Sequence, residues 1–367
     1  MTRAITMWDF SWLEHPRYAD WNLVLDELVA RGYDTVRIDA YPHLIAYGAD
    51  RGWRLLPVWD QHDWGATTPI TVRLRPALTE FVAACRDKGV AVALSSWFRR
   101  DTDDVRMRIR SPEEHGRVWI ATLAELDRAG LLDAIWYVDL CNEFPLRIWA
   151  PFVYESPGGD DRPRHDPSLM DWMARSIATV REAYPTLPYC YSVAEGVGAL
   201  DREDPAPVDL YEPHIWMAHP DISDFYRRIG YDLAASQFDP RQYAILAERA
   251  EATYRADPEH WQRLLTHAIH RIAEVARSHR RPLVTTECWS IVNYKDLPGL
   301  DWGWVKELCA LGVREAAATG CWAAISTSNF SGPQFSLWDD IDWHRGLNEQ
   351  IRLAPGCMDN RAASRLQ

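Results

Sequence analysis

Three glutamates stand at the ends of short apolar runs: Glu143 after Ile135–Leu140, Glu195 after Tyr189–Val193, and Glu287 closing Leu283–Glu287. A run buried on both faces seldom ends in a carboxylate unless that carboxylate is paired or used. Two carboxylates facing each other across a cleft can split a glycosidic bond. One stays protonated to donate to the leaving oxygen; the other is ionised to attack the anomeric carbon or activate water. Further polar residues fall at comparable positions: Asp9, Arg37, Asp39, Ser95, Asn142, Glu212, His214 and Asn329. Arg37 lies within Val36-Arg37-Ile38-Asp39, where a buried guanidinium needs a carboxylate, and Glu287 and Asp39 are both open as that partner. Glu212 either braces a neighbour or binds sugar, and Asp9 and Trp12 are candidates for a sugar-binding end.

The elements that must position these groups alternate between strand and helix. Eight β-branched apolar runs read as strands: Ala4–Met7, Thr35–Asp39, Val90–Ser95, Ile135–Leu140, Tyr189–Val193, Leu210–His214, Leu283–Glu287 and Cys321–Thr327. Amphipathic helices follow most of them, over Trp21–Arg31, Pro76–Lys88, Ser168–Tyr184, Gln242–Asp257, His260–Ser278 and Trp302–Thr319. Another helix opens at Ser111-Pro112-Glu113-Glu114, a cap, a first-turn proline and two acids at the positive helix end. After the fifth strand the Asp201–Pro207 link shows no helix, so one unit is irregular. The alternation predicts an α/β (β/α)8 TIM barrel, a single domain over residues 1–355 with a tail over 356–367, and an active face at the C-terminal strand ends. An open doubly wound sheet would show a glycine-rich phosphate loop, and none is present. Long active-face loops are expected after strand four (Phe144–Pro167) and strand six (Trp216–Arg241), the second also able to form a homo-oligomer contact.

Composition narrows the function. With 40 basic against 53 acidic side chains the formal charge is −13, which argues against nucleic-acid or anionic-membrane binding. No run of ~18 apolar residues suggests a membrane span. The seven cysteines lack any Cys-x-x-Cys pair and fit a reducing, cytoplasmic setting, hence a small imported glycoside or oligosaccharide in place of a polymer. Cys141 and Cys288 beside the two glutamates read as core fillers. His43, His62, His165 and His219 fall on predicted loops without metal-ligand spacing, so neither metal nor cofactor is expected. The 19 tryptophans suit a protein that stacks sugar faces, although packing accounts for most.

The run Trp136-Tyr137-Val138-Asp139-Leu140-Cys141-Asn142-Glu143-Phe144-Pro145 resembles the strand-four Asn-Glu signature of glycoside hydrolase clan A, the retaining (β/α)8 enzymes that include the family five cellulases. Arg37 on strand two, His214-Ile215-Trp216 ending strand six and Thr285-Thr286-Glu287-Cys288-Trp289 ending strand seven arrive in the family's order. The likeness spans Ile5 to Trp343 and is nearest the cellulase-like branch of the clan. It implies Glu143 as acid/base, Glu287 as nucleophile, Asn142 on the sugar 2-hydroxyl, Arg37 holding the nucleophile ionised, and His214 with Trp216 lining the reacting subsite. Asp9, Asp39, Glu195, Trp289 and Asn329 complete the expected substrate-binding set.

Three departures bear on the substrate. Strand three ends Ser95-Ser96-Trp97 where histidine is common, the strand-six motif is His-x-Trp in place of His-x-Tyr, and strand eight ends without a tryptophan platform, for which Trp338 is the candidate substitute. The expected activity is retaining hydrolysis of an equatorial (β-type) glycosidic bond. A non-hydrolytic sugar-binding protein on the same barrel competes with it. A metal-dependent sugar isomerase, with Asp39, Glu143, Glu195, His214 and Glu287 converging on one ion, is the third reading.

Overall fold

A computed structural model describes residues 1–58, 67–154, 158–194, 198, 200–233, 239, 241–292 and 300–357. The strands are β1 (Arg3–Asp9), β2 (Thr35–Asp39), β3 (Ala91–Ser95), β4 (Ile135–Asp139) and β8 (Trp322–Ile325). Three others come in two short pieces each: β5 (Tyr189–Cys190, Ser192–Val193), β6 (Glu212–Pro213, Ile215–Trp216) and β7 (Leu283–Thr285, Cys288–Trp289). A curled parallel sheet of seven runs β7-β8-β1-β2-β3-β4-β5. Its edges are joined through β6, whose pieces pair in parallel with Ser192–Val193 on one side and Cys288–Trp289 on the other. The pairing therefore passes through all eight strands in order and returns to its start.

The interior is built by two-residue alternation along each strand. Ile5, Ala93, Tyr137, Cys190, Leu210, Val284 and Ala324 belong to a small apolar core of their own. Two residues further along five of those strands stand Ser95, Asp139, Ser192, Glu212 and Thr286, all fully buried. The lining thus changes from apolar to polar one step below the strand ends. A large second core packs the outer strand faces against the helices.

The helix over Pro112–Arg128 shows how the outer layer forms. The Ser111 hydroxyl accepts from Glu114 N at 3.2 Å, Pro112 opens the first turn, and Glu113 and Glu114 face the positive end. His115, Val118, Trp119, Thr122, Leu123 and Leu126 recur at helical spacing and are buried, and the Trp119 indole N–H reaches Leu140 O at 2.9 Å. Gly312, in the helix over Gly303–Thr319, lets that helix approach β7. A Cβ there would stand 2.4 Å from Trp289 Cδ2. Gly312→Ala is therefore expected to cost about 1–3 kcal/mol by overpacking, outweighing the roughly 1 kcal/mol gained in helix propensity. A raised melting temperature would refute the close approach.

The irregular unit is as expected, with only a short 3-10 turn (Leu200–Arg202) described between β5 and β6. Some features were not legible. Trp53–Leu55 and Ile70–Val72 form an antiparallel ribbon after β2. Short helices cover Pro42–Gly48 and Phe225–Ile229, and the first of these buries His43, which corrects its reading as a loop residue. The strand-six, strand-seven and strand-eight runs are shorter or interrupted relative to Leu210–His214, Leu283–Glu287 and Cys321–Thr327. Residues 358–367 of the expected tail, and His62, lie outside the described residues. No described helix is long and apolar enough to cross a membrane.

Candidate active site

Arg37 is the hub of the polar layer. Inward-pointing at the middle of β2 and fully buried, its guanidinium lies 2.5 Å from Asp139, 3.1 Å from Glu212 and 3.4 Å from Glu287. Nη2 also donates to Asn142 Oδ1 at 2.7 Å, Ser95 Oγ at 3.0 Å and Ser192 Oγ at 3.2 Å, while Nη1 reaches Thr286 Oγ1 at 3.2 Å. The Trp97 ring covers the cation at 4.7 Å. Of the two partners left open by the sequence, Glu287 is in contact. Asp39 is not: its carboxylate accepts the backbone N–H groups of Tyr41 at 2.7 Å and Trp97 at 3.1 Å. Glu212 braces, accepting from Tyr137 Oη at 2.8 Å and Thr286 Oγ1 at 2.7 Å. Burial, then Arg37 in opposition and Asp139 in support, leaves the Glu212 carboxyl above its ordinary value.

Above this layer stand Glu143, His214 and Glu287. One oxygen of each glutamate and one ring nitrogen of His214 lie within 4.8 Å of one another. His214 Nδ1 is 3.0 Å from Glu143 Oε1 and 3.6 Å from Glu287 Oε2. The Trp149 indole N–H donates to Glu143 Oε2 at 3.1 Å, and Glu143 N donates to Ser192 Oγ at 2.8 Å. The glutamate side chains are 14% and 12% exposed, so both are largely buried. Burial pushes the Glu287 carboxyl up to about 8, with His214 and Arg37 opposing and Glu143 and Glu212 adding to the rise. Burial would also raise Glu143, but the donors on His214 and Trp149 outweigh it and hold that carboxyl below its ordinary value. Burial works against charge on His214, yet the Glu287 and Glu143 carboxylates prevail and raise its pKa. Groups this close titrate as a set, and the two carboxyls retain a shared proton near neutrality.

Backbone strain marks the same face. Asp9 (φ 37°), Tyr41 (φ 48°), Phe98 (φ 37°) and Glu143 (φ 47°) are non-glycine residues in the left-handed region, and each stands at or just beyond the end of one of the first four strands. Asp9 accepts Ser11 N at 2.5 Å and, like Asp39, is pushed up to about 7 by burial against its hydrogen bonds. Both acids therefore hold turns. Beside them Arg99 forks onto Glu14 at 2.8 and 2.6 Å.

At this face, Asn142 Nδ2, His214 Nε2, Trp216 Nε1 and Asn329 Oδ1 are buried polar atoms with no hydrogen-bond partner among the described residues. The Asn142 amide is oriented unambiguously, because Arg37 can only donate and so must face its oxygen. Asn329 is held beside the Glu287 strand by its N–H on Cys288 O at 2.9 Å and its Nδ2 on Val292 O at 3.0 Å. Trp216 meets His214 edge-to-face at 5.5 Å and stacks on His219.

Two expectations are corrected. Trp289 turns away from the strand mouth: it is fully buried against Gly312 and Trp322, and its indole donates to Ser326 O at 2.9 Å. Trp338 stacks on Tyr33 with Arg31 over its ring at 4.3 Å, and its indole donates to Glu27 at 3.0 Å, so it belongs to the outer helix layer. Glu195 lies outside the described residues. Asp139, Ser192, Thr286, Trp97 and Trp149 were missed. An acid inside an apolar strand with an arginine two strands away was a usable signal for Asp139; loop conformation alone placed Trp149.

Glu143, His214 and Glu287 are also the described group with metal-ligand spacing. Three donors with a guanidinium 3.4 Å from Glu287 make a poor cage for a hard divalent ion, which takes six or more oxygens and would be repelled by Arg37.

The fold is that of a cellulase-like glycoside hydrolase. The family model described as sugar-binding cellulase-like matches residues 5–352, and the chain belongs to that family. It is 45% identical to a candidate glycoside hydrolase from Parabacteroides distasonis, with 100% of this chain and 98% of that one covered at a TM-score of 0.95. Family five structures share the fold. Thermotoga maritima Cel5A, solved with mannotriose, is 15% identical over 95% of this chain and 97% of its own at a TM-score of 0.54. The GH5_18 protein of Streptomyces cattleya, solved as a glutamate-to-alanine variant with Manβ1-4GlcNAc, is 15% identical over 96% of this chain and 80% of its own, TM-score 0.53. No curated protein matches.

Proposed function

We propose that the protein is a retaining glycoside hydrolase acting on an equatorial (β-type) bond of a small glycoside or oligosaccharide. The observation that carries this reading is the close approach of Glu143 and Glu287, one oxygen of each lying within 4.8 Å of the other. Retaining pairs sit about 5–5.5 Å apart and inverting pairs at about 6.5–9.5 Å, because the latter must admit a water. The proton that the pair shares must sit on Glu143 for the first step, although burial favours Glu287 as its holder. A Glu287 oxygen then attacks the anomeric carbon as the bond to the leaving oxygen breaks, and that oxygen takes the proton from Glu143. Water then attacks the same carbon, gives its proton to Glu143, and frees Glu287. The unpartnered atoms of Asn142, His214, Trp216 and Asn329 supply both donors and acceptors for sugar hydroxyls.

The test is hydrolysis of nitrophenyl β-glycosides (gluco, galacto, manno, fuco, xylo) and an arabinofuranoside, run beside Glu287→Gln and with a chelator. Release from one donor, lost in the variant and indifferent to the chelator, is expected. Tight sugar binding without turnover, unchanged in Glu287→Gln, would make the protein a sugar binder.

The retained proton adds a pH signature. Above about 8 the carboxyl pair loses it, no acid remains, and turnover falls. Stability runs the same way. Between the ordinary glutamate value of 4.5 and about 8 the unfolded chain has lost a proton that the folded one keeps, so stability declines as pH rises through that window. Melting temperatures from pH 5 to pH 8 should fall more for the wild type than for Glu287→Gln, which lacks the group. Parallel curves would show that Glu287 is not raised.

A further inference from the structure

Trp149 was not among the residues whose type or spacing pointed to chemistry, yet it touches the reacting carboxyl. Two successive turns bring it there: Leu146 N donates to Glu143 O at 2.9 Å, and Trp149 N to Leu146 O at 3.0 Å. The turns are pinned from outside by Arg106, whose Nη1 donates to Ile148 O and Phe98 O, each at 3.0 Å. The indole is buried, its ring against Phe10 and its N–H 3.1 Å from Glu143 Oε2.

An indole N–H donates and never accepts. The oxygen it meets is disfavoured as the one that carries an acid proton, because a hydroxyl oxygen accepts more weakly than a carbonyl or carboxylate oxygen. Glu143 Oε2 is thereby favoured as the acceptor, and a proton on Glu143 prefers Oε1, which faces His214 Nδ1 at 3.0 Å. His214 can meet either state of Oε1: its Nδ1–H donates to the carboxylate, or its bare Nδ1 accepts from the acid while Nε2 carries the ring proton. Since Nε2 has no partner among the described residues, this exchange breaks no other hydrogen bond. The charged and titratable groups that act on Glu143 are His214 on β6, His219 beyond β6 and Glu287 on β7, with Glu212 and Arg37 acting on Glu287 in turn. Of these, His214 is the one hydrogen-bonded to Glu143, and it takes Oε1.

Resting on the assignment of Glu143 as acid/base, we propose that Trp149 is a positioning residue for the acid: its indole N–H occupies one carboxyl oxygen and leaves the other to carry and deliver the proton. Removing that donor lets the carboxyl rotate and strengthens its hold on the proton. Chemistry that depends on protonating the leaving oxygen suffers; chemistry with a leaving group that needs no proton does not.

The experiment uses Trp149→Phe, which keeps a ring and removes the donor, and Trp149→His, which returns a ring N–H. Each is compared with wild type on phenyl and 2,4-dinitrophenyl glycosides of the glycone selected by the nitrophenyl panel. In parallel, the Glu143 carboxyl is titrated by 13C NMR of protein labelled at glutamate Cδ, its resonance identified by loss in Glu143→Gln. In Trp149→Phe the Glu143 pKa is expected to rise by about one unit, the worth of a hydrogen bond to a charged group. Phenyl glycoside kcat should fall by ~10-fold or more while dinitrophenyl kcat stays within about two-fold. Partial return of the phenyl rate in Trp149→His supports the donor role. An unmoved Glu143 pKa, or equal loss with both leaving groups, overturns the proposal while the Glu143–Glu287 pair stands. A wild type inactive on both glycosides overturns the glycosidase reading, and the NMR titration still shows whether Trp149 holds Oε2.

Discussion

Glu287→Ala is expected to lose turnover on the order of 10⁵-fold, the scale on which removing a covalent nucleophile acts elsewhere, about 7 kcal/mol of transition-state stabilisation. Among the described residues the Glu287 carboxylate is the group that faces Glu143 from β7, and His214, at 3.6 Å, cannot attack from the same direction while it serves Glu143 at 3.0 Å. Truncation opens a small hole beneath the anomeric carbon. Azide can enter it and attack, giving the α-glycosyl azide from a β-glycoside with an activated leaving group. That inverted product, seen by NMR, identifies the face from which the nucleophile acts. The variant should melt no lower than the wild type near neutrality, because the group removed is one whose ionisation burial disfavours. A variant that keeps more than a tenth of its activity, or forms no azide adduct while remaining folded, would show that Glu287 is not the nucleophile.

Arg37→Met is expected to have the largest effect on stability. It leaves Asp139 and Glu212, both fully buried, and the neighbouring Glu287 without the cation that now lies 2.5, 3.1 and 3.4 Å away. Breaking a buried ion pair by removing one partner costs about 3–5 kcal/mol, since the stranded carboxylates must be protonated or left unpaired. The loss should be smaller at pH 5, where protonation relieves them, than at pH 8. Arg37→Lys should rescue only part, because one ammonium cannot span Asp139, Glu212, Glu287 and Asn142 together. Denaturant midpoints at the two pH values measure this. Equal midpoints for Arg37→Met and wild type would show that the hub adds nothing to stability.

The glutamates could be read from the sequence because a carboxylate closing an apolar strand has few uses besides pairing or chemistry. The helices could be read because their buried positions recur at a local spacing, as in His115 through Leu126. Asp139, Ser192 and Thr286 were less visible: each is a small or ordinary polar residue whose importance comes from Arg37 across the interior. Trp289 shows how alternation misleads. Two residues after Glu287 it should share that residue's side of the strand, but β7 is interrupted between Thr285 and Cys288 and resumes in a separate pairing with β6. The indole then turns outward into the space left by Gly312.

By itself, the amino-acid order determined the order of the eight main strands and of the longer helices between them, the parallel architecture and the presence of strand-end acids, since these follow from side-chain period and local capping. Only the tertiary structure decided which acids meet. The closing of β5, β6 and β7 brings Glu143 and Glu287 within reach of one imidazole. It also decided that Trp149 donates to one of them and that Trp338 serves the helix layer. Contacts of that kind join residues far apart in the chain, and their distances are set by how the whole core packs.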